Sequence, residues 1–400
     1  MIEEPSQFAL NISTLIVIAF SANLLILRSF KRQTYLPLAA CLLSIGIVIS
    51  QPTLAAFFPS TQTTVLIFSL PALLLIAPSF WCYVQGITYD KPWKIAYVAR
   101  RHCVLPALGL IIAIIALLLP TEIRNALLID GNEQILTQAS ALLRYSMYGV
   151  LITTFALVLG WVFQSAYYFY RIVRRLHVYR RHLKDLFAST ESKEIRWLSW
   201  LLLAVGIVWL ATAVTVITDN LFEPLQWYNL LPETTLFVMI WSIAIWGLRQ
   251  KPGLEEFYSD VSDENKVNLA NVDLQEKYQR SALSEQHAST IAGKIEQAMQ
   301  EDKLYLDASL SLPKLAKHIS TSPNYISQTL NEQLKLNFFD FVNQYRVAEA
   351  KRQLEQTKDN VLDIAMNVGF NAKSSFYTAF KKETQKTPSQ YRKLHIAKKE

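Results

Sequence analysis

The side chains able to do chemistry are dispersed along this sequence, and that dispersal is its first functional signal. Cys41, Cys82 and Cys103 each fall within or at the end of an apolar segment, and the six histidines are scattered, with His102, His177 and His182 set among arginines and lysines. No metal-ligand spacing, phosphate-cradling glycine loop or nucleophile elbow occurs. Hence no catalytic residue, metal or cofactor is expected, and a membrane enzyme is disfavoured. Charge and helix punctuation are grouped instead. Basic residues outnumber acidic ones 18 to 12 over residues 1–250 and 17 to 12 over 289–400, whereas 251–288 carries 4 against 8; the net charge is +7.

The punctuation requires short helices in matched pairs. Ser311 precedes Leu312, Leu315, Ala316 and Ile319 at helical spacing. Ser322-Pro323 then sets a capping hydroxyl before a first-turn proline, ahead of Tyr325, Ile326, Thr329, Leu330 and Leu334. The arrangement recurs: Asn360 to Asp363 reads as a capping box before Leu362, Ile364, Ala365 and Val368, Gly369 supplies a turn, and Asn371 stands as the cap of a helix with Phe376, Tyr377, Ala379 and Phe380. Two short helices joined by a tight turn form a helix-turn-helix unit. Small Ala316 admits the second helix and Ile326 fills the contact. One such unit is a weak signal; two in register are a strong one.

Ile291, Ile295, Ala298 and Met299 mark a preceding helix that ends near Asp302. Between the pairs, a helix from about Phe338 to Gln356 carries Phe338, Phe341, Val342, Tyr345, Ala348 and Leu354 on one face, with Arg346 and Glu349 as structural pairings. About 19 residues rising about 1.5 Å each give about 28 Å. That is close to the roughly 34 Å between successive major grooves on one side of a DNA duplex.

The stretch from about Ile291 to Lys393 closely resembles the AraC/XylS-type DNA-binding domain. The resemblance rests on Leu312-x-x-Leu315-Ala316, Ser322-x-Asn324-Tyr325-Ile326-Ser327, Arg346-x-x-x-Ala350, Ile364-Ala365-x-x-Val368-Gly369-Phe370, Phe376-x-x-x-Phe380-Lys381-Lys382 and Thr387-Pro388-x-x-Tyr391-Arg392. Lys335 and Gln385 depart from it, standing where the family commonly has a turn glycine; a left-handed turn there costs about 1 kcal/mol each. The resemblance implies that the helices starting at Ser322 and Asn371 enter the major groove. Asn324, Ser327 and Gln328 on the first, and Lys373, Ser374, Tyr377 and Thr378 on the second, are then the candidates for base edges. Ser322, Asn371, Lys381, Lys382, Arg392 and Lys393 are candidates for phosphates.

Nearly all long apolar runs lie before Leu248. Crossing a hydrocarbon core takes about 20 mainly apolar residues, and seven segments qualify, at about 8–27, 35–58, 63–87, 103–119, 142–170, 197–218 and 230–248. Prolines 52, 71, 78 and 106 suggest kinks packed against neighbours. Glu3 and Glu4 are unlike the basic start of a signal peptide, so the first segment is expected to be retained. Lys and Arg crowd the first, third and fifth connections, while the alternate ones are neutral or acidic. That bias places the N-terminus outside and the C-terminus in the cytoplasm. Span interiors hold essentially no ionisable residues, only neutral groups such as Asn23, Gln85 and Gln164, which disfavours transport and suits interhelical hydrogen bonds. A hairpin is suggested over Ala126 to Thr137, turning at Asp130, Gly131 and Asn132.

The expected architecture is all-α: a seven-helix transmembrane bundle over 1–250, a polar linker over 251–288 that includes Leu254, Phe257 and Tyr258, and a cytoplasmic domain over 289–400 with two helix-turn-helix subdomains joined by a long helix. The expected function is a membrane-bound transcription regulator sensing an extracytoplasmic or membrane signal, in the inner membrane of a bacterium. Its expected partners are double-stranded DNA, RNA polymerase, the lipid bilayer, an unidentified effector and a second copy of the chain. The competing interpretation is a membrane receptor whose helix-turn-helix domain docks a protein.

Overall fold

In a computed structural model of the protein, residues 5–89, 93, 95, 102–129, 140–190, 195, 197–204, 206, 231–250 and 285–396 are described. Among them regular secondary structure is helical, apart from one isolated antiparallel bridge between Phe187 and Ser311. The chain divides into two compact units: Met1–Leu176 with Ile195–Pro252, and His177–Glu194 with Gly253–Glu400.

The first unit is built from α1 (Pro5–Ser29), α2 (Leu36–Ile49), α3 (Gln51–Phe57), α4 (Gln62–Ile87), α5 (Val104–Leu117), α6 (Thr121–Leu128), most of α7 (Ala141–Leu186) and α8 (Leu231–Arg249). Helix α1 packs on α2 and α8, and α4 on α2 and α5. The α4–α5 approach needs glycine, because a Cβ on Gly109 would lie 2.7 Å from Leu74 and 3.3 Å from the Cα of Pro71. Three described helices are long and apolar enough to cross a membrane, within Pro5–Ser29, Pro59–Ile87 and Ala141–Leu186. A fourth is added if Gln33–Ile49 and Gln51–Phe57, bent by 53° at their junction, form one span. Pro52 opens the second arm of that bend.

The described residues therefore fall short of the seven expected spans. The segment at 103–119 folds as only 14 helical residues, about 21 Å against the roughly 30 Å of a hydrocarbon core. Most of 197–218 lies outside the described residues, and Leu231–Arg249 is a 19-residue helix not counted with the three. The expected hairpin is corrected in its first arm, since Ala126 to Leu128 end helix α6; its turn lies outside the described residues. The interhelical bonds also come from other residues. Asn23 is exposed, and the buried amide oxygens of Gln85 and Gln164 have no hydrogen-bond partner among the described residues. Asn11 instead donates to Ile49 O (3.1 Å) and accepts from Thr53 (2.7 Å), while Thr63 donates to Asn125 (2.6 Å). Arg28 donates to Leu248 O.

The second unit contains the end of α7 followed by α9 (Glu285–Gln300), α10 (Leu312–His318), α11 (Pro323–Glu332), α12 (Phe338–Gln356), α13 (Val361–Asn367), α14 (Lys373–Thr384) and α15 (Pro388–Ile396). Residues 251–284, which include most of the expected linker, lie outside the described ones. Helix α9 starts at Glu285 and buries Ile291, Ile295, Ala298 and Met299 as their spacing requires. Asn337 caps α12, its side chain accepting from Asp340 N at 2.8 Å. The single apolar face expected on α12 is corrected: Ala348 is exposed, while Arg346, Val347 and Ala350 are buried. Two subdomains grip this helix from different sides. Its second half joins a core with Ile364, Ala365, Val368, Phe370, Phe376 and Phe380, and its first half buries Phe338, Phe341 and Val342.

Among the described residues, Arg346 is the largest side chain with less than 2% of its surface exposed, at a relative exposure of 0%. Its Nε donates to Tyr305 O (2.7 Å), Nη2 to Asp307 O (2.9 Å), and Nη1 to Ala188 O and Ser189 Oγ (3.1 Å each). Its guanidinium carbon lies 5.5 Å from the centre of the Phe370 ring. Glu349 is not its partner; it binds Arg352 at 2.6 Å, and that hydrogen bond holds its carboxyl below the ordinary range. Replacing Arg346 by leucine strips donors from several carbonyls at roughly 1–3 kcal/mol for each acceptor left buried without one. Urea unfolding followed by hydrogen exchange across Phe338–Gln356 should show a loss of about 3 kcal/mol or more; unchanged protection would contradict this role.

Candidate nucleic-acid interface

Two turns with the same hydrogen bonds position the candidate residues. After α10, Thr321 N donates to Ala316 O (2.9 Å) and Ser320 N to Lys317 O (3.3 Å). After α13, Phe370 N donates to Ala365 O (3.0 Å) and Gly369 N to Met366 O (3.0 Å). Both close a helix through a left-handed residue, Ser320 at φ 52° and Gly369 at φ 94°. Glycine is required at the second, because a Cβ there would lie 2.6 Å from Tyr305 O. Helix α11 then buries Ile326 and Leu330 against its neighbours, and α14 buries Phe376 and Phe380. The remaining faces carry the polar residues.

Capping differs from expectation at three of the four starts. Ser311 and Ser322 occupy N-cap positions with extended backbone, but neither side chain makes a capping bond. Pro323 lacks the N–H of its position and has its φ already fixed near the helical value, so α11 starts without the hydroxyl. The N-cap of α14 is Ala372, because Asn371 turns its amide to donate to Ala308 O at 2.9 Å. Asn360 does cap, but it accepts from Leu362 N at 3.1 Å, and among the described residues no bond to or from Asp363 completes the expected capping box.

On α11, Asn324, Ser327 and Gln328 are half-buried. The Gln328 amide donates to both Glu332 carboxylate oxygens (3.0 and 3.1 Å), and Ser327 Oγ accepts from Asn331 at 3.4 Å. On α14, Lys373, Ser374 and Thr378 are exposed and Tyr377 is half-buried against the neighbouring core. Lys373 Nζ sits 5.4 Å from the Tyr377 ring centre, and Thr378 donates to Ser374 O at 2.8 Å. Each helix thus offers amide or hydroxyl groups, and α14 adds a cation over an aromatic ring.

The phosphate candidates split. Lys381, Lys393, Ser322 and Asn371 are exposed. Lys382 is already 2.8 Å from Asp340, and Arg392 donates to Asp359 O at 2.7 Å. These two charges also tie α14 and α15 to the rest of the unit. Tyr391 fixes α15 further, donating to Glu355 at 2.7 Å, and burial followed by that carboxylate raises its pKa to about 12.

Sequence spacing did not reveal the segment Leu304–Ser311. It touches both helix pairs: Arg346 holds it to α12, Asn371 holds Ala308, and Gly369 packs beneath Tyr305 and Leu306. Against the upward pull of burial, hydrogen bonds from Ser309 and Lys314 hold the Asp307 carboxyl below its ordinary pKa.

Residues 315–394 match the family model of a helix-turn-helix domain. Over 99 residues the chain is 34% identical to an uncharacterised helix-turn-helix-type transcriptional regulator of Staphylococcus aureus (strain COL), covering 25% of this chain and 13% of that protein. Over 88 residues it is 31% identical to the melibiose operon regulatory protein of Escherichia coli (strain K12), covering 22% of this chain and 29% of that protein. The C-terminal domain of AraT, a response regulator from Geobacillus stearothermophilus, is 29% identical over 25% of this chain and 84% of that one, with a TM-score of 0.24. The chain thus spans less than a third of either curated relative. Its C-terminal region carries a helix-turn-helix domain of the AraC type.

Lys335 (φ 56°) and Gln385 (φ 58°) both adopt the left-handed conformation. Lys335→Gly and Gln385→Gly should each raise stability by about 1 kcal/mol, whereas Gly369→Ala should lower it because of the contact with Tyr305 O. Thermal midpoints of the four chains decide this; a fall in both glycine variants would refute the strain argument.

Proposed function

We propose that this chain is a membrane-bound, sequence-specific DNA-binding regulator of transcription, whose helices α11 and α14 enter successive major grooves. The observation that carries it is the pair of helix-turn-helix turns with identical hydrogen bonding, joined through a 19-residue helix. That helix extends about 28 Å, near the groove repeat. The names of the relatives, transcriptional and operon regulators, agree with this function. Exposed Lys381 and Lys393 suit phosphates; Asn324, Gln328 and Lys373 suit base edges. The apolar helices suit a bilayer anchor with the N-terminus outside, which leaves the DNA reader in the cytoplasm. A signal received outside or within the membrane is the proposed input.

The full chain in lipid nanodiscs should select a preferred duplex from a random pool and protect two segments about 10 bp apart. Asn324→Ala or Lys373→Ala should cost about 1–3 kcal/mol of discrimination at one position. Lys381→Ala and Lys393→Ala should weaken all duplexes alike and each flatten the salt slope by about 1. Failure to prefer any sequence at near-physiological salt would sink the proposal. Cysteine labelling in intact bacterial cells tests the membrane part: Gln7→Cys should react with an impermeant maleimide from outside and Lys393→Cys only after lysis, and the reverse pattern would overturn the orientation.

A further inference from the structure

The second unit contains a piece of chain foreign to a helix-turn-helix domain. Helix α7 ends at Leu186, and the next residues stay inside the unit. Phe187 bridges Ser311 in antiparallel fashion, and Ala188 N donates to Leu310 O at 3.1 Å. Ala188 O and Ser189 Oγ accept from Arg346. Phe187, Ala188, Ser189 and Thr190 are all buried, Ala188 at 1% exposure. Upstream, Tyr179, Leu183 and Leu186 are buried at spacings of four and three, one helical face, and Lys184 Nζ lies 5.6 Å from the Phe339 ring centre. Backbone and charge are both engaged.

The place where this segment sits gives it leverage. Leu310 and Ser311 end the stretch that Arg346 fastens to α12 and that Asn371 and Gly369 fasten to the second helix pair; Ser311 also starts α10 of the first. One guanidinium therefore grips this inserted segment, α12 and the junction between the two pairs. Removing the segment takes two acceptors from a fully buried cation, whose remaining N–H groups must then find water or loosen the junction.

We propose that Lys184–Thr190 is a built-in docking strap of the DNA-binding unit, and that its seating fixes the relative orientation of α11 and α14. The strap rests on the DNA-binding function above and adds its control: a seated strap gives tight binding to duplexes that engage both helices, and a released strap leaves two independently oriented readers. It is the direct continuation of α7, with no intervening turn.

The test uses the full chain in nanodiscs with Cys41, Cys82 and Cys103 replaced by alanine. Phe187→Cys with Ser311→Cys places thiols on directly opposite residues of an antiparallel pair, about 5 Å apart at Cβ, and mild oxidation should join them. The locked chain should bind its selected duplex as tightly as the reduced chain. Ala188→Glu, which puts a charge into the buried seat, should weaken that duplex at least tenfold and leave a duplex carrying only one groove's site within threefold. No cross-link, equal or tighter binding by Ala188→Glu, or a locked chain weakened tenfold would each overturn the strap. If Ala188→Glu loses hydrogen-exchange protection across Phe338–Gln356, the locked chain alone decides. If no duplex is selected, the DNA-binding function fails and this control with it, and the cross-link yield separates that failure from an unseated strap.

Discussion

A guanidinium withdrawn wholly from water has to be surrounded by acceptors, and the second unit is organised by meeting that demand at Arg346. Burying an unpaired charge costs several kcal/mol, and arginine cannot relieve the cost by losing its proton. Among the described residues the acceptors include three backbone carbonyls, of Tyr305, Asp307 and Ala188. Carbonyls are fixed to the main chain, so satisfying the cation also fixes where two non-helical segments run. The Phe370 ring closes one side, bringing the second helix pair into the same arrangement.

Once the Leu304–Ser311 segment is held, the two helix pairs lose much of their independence. Gly369 is where the constraint is tightest: its left-handed φ closes α13, and its missing Cβ lets Tyr305 O approach. The first pair uses Ser320 in the same conformation, trading a modest steric cost for the same hydrogen bonds. Duplicated turns then aim α11 and α14 by one rule, and the buried Ile326, Leu330, Phe376 and Phe380 decide which face of each is left for a partner.

The first unit is held together differently. Its described helices meet through small residues, buried prolines and a few hydroxyl and amide bonds such as Asn11 with Thr53. Packing of this kind suits helices that share an apolar medium, where close approach replaces the hydrophobic drive of water.

The helix pairs, the long helix between them and the handed turns at Lys335 and Gln385 were legible from apolar spacing, punctuation and family motifs, because those are local properties of the backbone. Asn360 behaved as its type and position required. Ser311, Ser322 and Asn371 did not, since a polar side chain goes to whichever partner the fold brings near, and Asn371 found Ala308 O. The extent of charge commitment at Lys382 and Arg392 was likewise invisible, as both partners lie more than thirty residues away. The sequence by itself thus determined the order and kind of the helices from Ile291 onward and the chemistry of their exposed faces, but not the number or bounds of the helices before Leu248. Only the tertiary structure decided that Arg346 is the buried junction and that residues from the end of α7 belong to the unit it holds, because a buried cation is satisfied by carbonyls, which every residue carries and no sequence pattern distinguishes.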